Sequence, residues 1–267
     1  MGEVSNKKRY WLIAIIGICM TYTVQAQVLK EINPENVVYT KEQSGDIRVH
    51  TNGYALAYNW GEIPTYYKTT YYHIELGRMF DSRESSQNRN IVYQFNRLSS
   101  SYKFGKQNDF FIIRLGKGVK RYVTDQAKRK GVAIGYNIEG GADLGVLKPY
   151  YLELIYRVDR DGQFNAEIRN ERYTPENADK FLNYESIYGR APWSFGLKEI
   201  SLAPGLHGKS SVFFALGSNG QFVKTLEAGI MADVFVRKIP IMVETEAVKN
   251  RPYFLNLFVN LQFGKRK

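Results

Sequence analysis

Near the end of the chain, Tyr253–Phe263 alternates in polarity for eleven residues. Tyr253, Leu255, Leu257, Val259, Leu261 and Phe263 fill one phase; Phe254, Asn256, Phe258, Asn260 and Gln262 fill the other. A period of two is the signature of a β-strand, here with one oily face and one mostly amide face. A tilted strand of about 9–11 residues also crosses a bilayer. Three bases, Lys265, Arg266 and Lys267, then place the end of the chain in water. One such strand fits a soluble sandwich equally well, so the remainder of the chain has to decide.

The N-terminus reads as an export signal. Lys7, Lys8 and Arg9 precede an apolar run, Tyr10–Met20, and Val24-Gln25-Ala26 forms a small-residue cleavage site. Eleven apolar residues are too few for a spanning helix, so residues 1–26 read as a signal peptide cleaved after Ala26. The single cysteine, Cys19, lies inside that run behind Ile18, a poor setting for a lipid anchor. The exported chain therefore has no disulfides. Losing residues 1–26 removes three bases and one acid, so the formal charge falls from +11 to +9. This excess suits anionic lipopolysaccharide or acidic partners. Nucleic acid is excluded as a partner because the bases are scattered and the chain is exported. No later stretch reaches 18 apolar residues, so no transmembrane helix is expected. The chain's 20 Tyr and 15 Phe suit aromatic girdles at two membrane interfaces.

Residues 27–43 form a polar periplasmic lead-in, and residues 44–267 divide into eight strand-like segments. These run over about Gly45–Trp60 (with a β-bulge at Asn52-Gly53), Thr65–Met79, Asp109–Gly116, Gly131–Leu144, Pro149–Val158, Gly196–Leu216 (broken at Pro204-Gly205), Gln221–Val236 and the terminal strand. Gly145–Lys148 reads as a tight turn. Thr174-Pro175-Glu176 signals a short helix over Pro175–Leu182. The fold class expected is all-β, an antiparallel up-and-down transmembrane β-barrel of eight strands, or ten if Phe80–Asn108 holds a further pair.

The polar phases of these segments hold Glu75, Arg114, Glu139, Asp143, Glu153, Arg157, Lys209, Glu227 and Asp233, with Asn256 and Gln262. The opposite phases carry almost no charge, as a lipid-facing wall requires. An eight-stranded barrel is about narrow enough for side chains to fill. The inward acids and bases are therefore expected to pair across the lumen as a polar network rather than line an ion path. No enzyme activity, metal or cofactor is expected. His50, His73 and His207 lack metal-ligand spacing. His207 and Ser211 share a face, but four strand residues separate them by about 13 Å, too far for a catalytic hydrogen bond.

Several segments carry a resemblance: VHTNGYALAY (Val49–Tyr58), YKFGKQNDFFIIRLGKG (Tyr102–Gly118), LGVLKPYYLEL (Leu144–Leu154), SIYGRA (Ser186–Ala191), RKIPIM (Arg237–Met242) and the terminal LQFGKRK. In these, over nearly all of the exported chain, it resembles a family of small outer-membrane β-barrel proteins of Bacteroidota. The resemblance implies the fold and the membrane, and no assigned activity or catalytic residue. Barrels of this phylum also serve as accessory subunits of outer-membrane export and assembly machines, an analogy of class.

With both termini periplasmic, the eight segments would put Asp159–Ser194 outside and the 29-residue Phe80–Asn108 in the periplasm. Tyr173, Phe181, Tyr184, Tyr188 and Trp193 make the outer loop the candidate partner surface. The reading that results is a non-enzymatic outer-membrane barrel acting as a structural or accessory subunit of an assembly or export complex. A narrow pore for small solutes or ions is the alternative, and a lipid-modifying enzyme the third.

Overall fold

The computed structural model describes residues 39–65, 67–87, 93–94, 97–123, 132–160, 163–216, 222–246 and 248–267. The expected signal peptide, and the lead-in as far as residue 38, lie outside the described residues. In chain order the strands are β1 (Lys41–His50), β2 (Gly53–Thr65), β3 (Lys68–Met79), β4 (Ser86–Gln87), β5 (Tyr93–Gln94), β6 (Arg97–Leu98), β7 (Tyr102–Lys103), β8 (Asn108–Tyr122), β9 (Val132–Pro149), β10 (Tyr151–Arg160), β11 (Gln163–Arg172), β12 (Ile187–Arg190), β13 (Ser201–Leu216), β14 (Phe222–Phe235) and β15 (Tyr253–Arg266). A single helical turn, α1 (Ala178–Phe181), follows a 3-10 turn at Pro175–Asn177. The Asn177 side chain accepts the Thr174 backbone N–H at 2.9 Å, so the Thr-Pro-Glu signal does start a helix.

Eight strands close an antiparallel barrel in the order β1-β15-β14-β13-β9-β8-β3-β2, with β2 returning to β1. The terminal strand closes it as expected: β15 pairs with β1 from Glu42–Arg266 to His50–Phe258. Alternation then sorts the side chains. Along β1, Glu42, Ser44, Asp46, Arg48 and His50 are buried, while Ile47 and Val49 are exposed. Along β15, Leu255 is 70% exposed and Asn260 0%. A barrel polar inside and apolar outside is the inverse of a water-soluble core, and its continuous apolar belt belongs in hydrocarbon. Outward aromatics stand at both margins. Near the termini Trp60 stacks with Tyr58 and Tyr72, with centroids 6.0 and 6.1 Å apart. At the opposite end Tyr54 meets Phe80 at 5.8 Å, and the Arg78 guanidinium lies over Phe80 and Phe111.

Two of the eight expected segments are reassigned. Gly45–Trp60 is not one bulged strand. It is β1 and β2, joined at Thr51-Asn52, with Val49 opposite Tyr54. A two-residue hairpin loop reverses the chain, and read linearly that reversal looks like a slip of phase. Pro149–Val158 is not a wall strand. β9 runs straight through Gly145–Lys148 to Pro149, and Tyr151–Arg160 pairs instead with β11 and β12 outside the barrel. Gly145 is a glycine for space rather than for turning. A Cβ there would sit 2.8 Å from the Phe110 ring and 3.1 Å from the Phe235 ring, both inside the lumen. Pro204 does not interrupt β13, since it pairs with Leu144 in unbroken register. The two reassignments offset one another, so the count remains eight, and the added pairs in Phe80–Asn108 (β4–β7 and β5–β6) stand outside the barrel.

The new strand list also moves the loops. Residues 41 and 266 lie at one end of the barrel, with the connections β2–β3, β8–β9 and β13–β14. The three long connections, 80–107, 150–200 and 236–252, all leave the opposite end. Phe80–Asn108 therefore does not face away from Asp159–Ser194, as the eight-segment topology implied. The two lie together.

Candidate functional site

Inside the wall, β3, β8 and β14 bring three charges into one cluster. Arg114 binds Asp233 twice, Nε to Oδ1 at 2.7 Å and Nη2 to Oδ2 at 3.0 Å, and its Nη1 binds Glu75. The other Glu75 oxygen takes Arg48 Nη1 from β1, so one carboxylate links two guanidiniums. Arg48 also lies over the Phe258 ring at 5.0 Å. These side chains are sealed from water: Arg48, Glu75, Arg114 and Asp233 are each 0% exposed. Buried charges persist only when paired: Glu75 and Arg114 face each other on the neighbouring strands β3 and β8, and Arg114 reaches Asp233 on the non-adjacent β14.

A second cluster surrounds Glu139. Lys209 Nζ reaches it at 2.8 Å and Tyr71 donates to it at 2.6 Å. His73 and His207 place ring nitrogens 3.4 and 3.7 Å from its other oxygen. His207 is held in turn by Asp143 at 2.5 Å. Glu227 accepts from Asn137 at 2.8 Å, from Asn260 at 2.9 Å and from Ser211. Toward the terminal end, Lys120 donates to Gln262 at 2.5 Å, and Arg266 binds Glu42 at 3.0 Å and the Tyr122 hydroxyl at 2.9 Å. Toward the opposite end the filling turns apolar. Met79, Phe110, Ile112, Leu147 and Phe235 pack with Ile239, Ile241 and Met242 of the last long connection. The lumen is thus occupied by paired charges through its middle and by a greasy stopper at one mouth.

Above that mouth the long connections fold into one cap. Tyr102, Tyr150, Leu152, Leu154, Phe181 and Ile187 form its core. Phe104 stacks on Tyr184 with centroids 3.9 Å apart, Lys103 N donates to the Tyr150 hydroxyl at 3.1 Å, and Ser100 Oγ donates to Arg190 O at 2.8 Å. Burial pushes the Tyr150 phenol up to about 12. The third connection joins through Gln107 N to Ile241 O at 2.9 Å and Val243 N to Gly105 O at 2.7 Å. Lys106, fully buried, ties the cap to the rim through Glu84 at 2.8 Å and Asp109 at 2.9 Å.

Of the residues expected in the lumen, Glu75, Arg114, Glu139, Asp143, Lys209, Glu227 and Asp233 meet there. Glu153 and Arg157 do not: they ride on β10, where Glu153 is buried in the cap and Arg157 is exposed. Arg48, Tyr71 and His73 complete the network from the inward phase of alternating strands. Lys120 and Arg266 join it against expectation: β8 runs past Gly116 to Tyr122, and Arg266, expected in water, ends β15 buried against Glu42. Of the loop aromatics, Phe181 and Tyr188 are buried, Tyr173 packs edge-on against Phe181 and Tyr184 stacks on Phe104. Trp193 alone is well exposed, at 57%. Among the described residues no group of His, Cys, Asp and Glu has metal-binding geometry.

No protein-family model and no curated protein matches the chain. Among solved structures it is similar to the N-terminal β-barrel domain of OprF from Pseudomonas aeruginosa, with a TM-score of 0.35, 7% identity, and cover of 86% of this chain and 98% of that one. It is also similar to Ail, the attachment invasion locus protein of Yersinia pestis, with a TM-score of 0.34, 7% identity, and cover of 86% and 100%. A major outer membrane protein from Thermus thermophilus gives a TM-score of 0.37 at 9% identity, with cover of 85% and 100%.

Proposed function

We propose that the protein is a non-conducting, non-enzymatic barrel of the outer membrane that displays a folded cap as an interaction module of a cell-envelope assembly. The observation that carries this is the stopped lumen beneath a cap built from all three long connections. Water-filled passage would need the Arg48–Glu75–Arg114–Asp233 cluster and the Phe110–Phe235 stopper to separate, and both are fully packed. Barrels of this kind carry short periplasmic turns and long external loops, so the cap is assigned to the outside and both termini to the periplasm. There its rim meets lipopolysaccharide, to which a basic chain is suited. The sequence segments shared in kind with the small barrels of Bacteroidota support the same setting.

A lipid-modifying reading would need a histidine and a serine open to lipid. His207 is committed to Asp143 and Ser211 to Glu227, both inside the lumen. The test has two parts. Planar-bilayer recording of the heat-modifiable, folded barrel is expected to show no unitary conductance; discrete current steps would overturn the non-conducting reading. Purification from outer membranes in mild detergent is expected to bring down a stoichiometric envelope partner that is lost when residues 163–172 are replaced by a short linker. A lone monomer in both preparations would overturn the interaction reading.

A further inference from the structure

The apolar segment Pro192–Ile200 leaves the cap and turns back onto the outside of the barrel. In β9 the outward phase runs Leu144, Val146, Lys148, with Val146 opposite Leu202 of β13. Lys148 belongs to this lipid-facing row yet is only 4% exposed, and its ammonium lies 5.2 Å from the Trp193 ring centroid. Trp193 therefore covers the outer wall of β9 at its cap-side margin. Phe195 follows, 5.8 Å from the Tyr151 ring, and Leu197 and Ile200 lead down to the exposed Leu202. All four of these loop residues are exposed: Trp193 57%, Phe195 39%, Leu197 41% and Ile200 41%.

The segment is also pinned. Glu199 accepts from the Tyr151 hydroxyl at 2.6 Å and pairs with Arg172 at 2.7 Å. Gly196 takes φ +82°, where a Cβ would meet Pro149 O at 2.6 Å, so the turn closes directly on the end of β9. Arg237 fastens the following strand by donating to Ser201 Oγ at 3.1 Å and Leu202 O at 2.9 Å. A row of exposed apolar side chains held rigidly beside a lipid-facing wall is not explained by cap packing.

The aromatic ring at this margin shows what the row completes. On the side of β2, β3, β8 and β15 the strands and their ends supply Tyr54, Phe80, Phe111 and Tyr253. On the β9–β13–β14 side the outward residues near this margin are Leu144, Val146, Leu202, Pro204, Val234 and Val236, with no aromatic among them. We infer that Pro192–Ile200 is a membrane foot: Trp193 and Phe195 enter the headgroup–acyl boundary of the lipid leaflet and fill the gap in the girdle on β9 and β13. The occupant of this surface is lipid, because the row is continuous with the apolar belt the barrel already presents to it. The cap thereby rests on the bilayer on one side.

The test uses the full chain in vesicles, with Trp11→Phe and Trp60→Phe leaving Trp193 as the sole indole. Vesicles of phosphatidylcholine brominated near the headgroup are expected to remove most of the Trp193 emission. Lipid brominated near the acyl terminus should remove little, and aqueous iodide almost none. Iodide quenching with no bromine effect would put the segment in water and overturn the foot. Protection from both quenchers would mean that protein covers it, and would overturn the lipid assignment equally. Should the double variant lose its heat-modifiable migration, an environment-sensitive dye on Phe195→Cys, with Cys19→Ser, reads the same three outcomes.

Discussion

Leu154 and Leu257 are the same residue on strands of the same chain, and they are treated in opposite ways. Leu154, on β10 in the cap, is 0% exposed among Tyr150, Phe181 and Ile187. Leu257, on β15 in the wall, is 63% exposed, and the polar Asn256 beside it is 1% exposed. The cap is sorted by water and the wall by lipid. Alternation thus reports a two-sided strand without saying which side is oil. Both kinds of strand show a period of two, so only the partners that close around them tell wall from cap.

The largest break in this contrast should come from the lumen. Arg114→Ala leaves the carboxylates of Glu75 and Asp233 without their shared guanidinium, and removing one partner of a buried pair costs about 3–5 kcal/mol. Urea unfolding of the barrel in detergent should move by that much, with the folded, fast-migrating gel band lost first. A second comparison is direct. Leu154→Ala opens a cavity that protein must border, costing about 2–5 kcal/mol locally. Leu257→Ala faces lipid tails that close over the gap, so its effect should fall well below that of Leu154→Ala. Hydrogen exchange resolved by segment checks both, with the Leu154 change confined to the cap. If the two alanines cost the same, the opposite sorting is wrong.

The converse substitution is Leu257→Arg, which puts a charge on the lipid face at about 2–4 kcal/mol near the midplane. Equilibrium folding into vesicles would register it. The smallest effect belongs to a hydrated corner of the cap. The Arg83 side chain hydrogen-bonds Asp81 at 2.9 and 2.8 Å and holds its carboxyl below the usual range. A carboxyl lowered on folding adds stability above its unfolded value and loses it as pH falls through the folded value. Relative to the intrinsic rate at each pH, protection of the amides in residues 81–84 should therefore fall on acidification in the native chain, and Asp81→Asn should flatten that dependence.

The contrast also explains what the sequence made legible. The terminal strand, β3, β8, β13 and β14 could be placed from alternation alone, because lipid outside and paired charge inside enforce one residue type per phase. Seven of the nine residues expected in the lumen stand there for that reason. Glu153 and Arg157 were misplaced because β10 alternates like a wall strand and starts after a proline that looked like a strand entry. Gly145–Lys148 looked like a turn because glycine signals turning more often than it signals a large ring from a neighbouring strand filling a narrow lumen. Thr51-Asn52 was hidden since two short strands joined by a tight hairpin imitate one long strand with a bulge. The cap was illegible for a further reason. Its core joins Tyr102 from one long connection to Leu152 and Phe181 from another, and no local pattern records which loops leave the same end of a barrel.

The seam between β1 and β15 carries a kinetic consequence. Arg266 meets Glu42 across 224 positions of chain, so the barrel is shut by its first and last wall strands together. Until they meet, β1 and β15 both present bare backbone edges beside a wall of exposed Leu, Ile and Phe, and such edges pair readily with a neighbouring molecule. Ring closure over this distance is slow compared with formation of the local hairpins. Self-association and closure are then in a race, decided by how soon the edges find each other within lipid rather than in water.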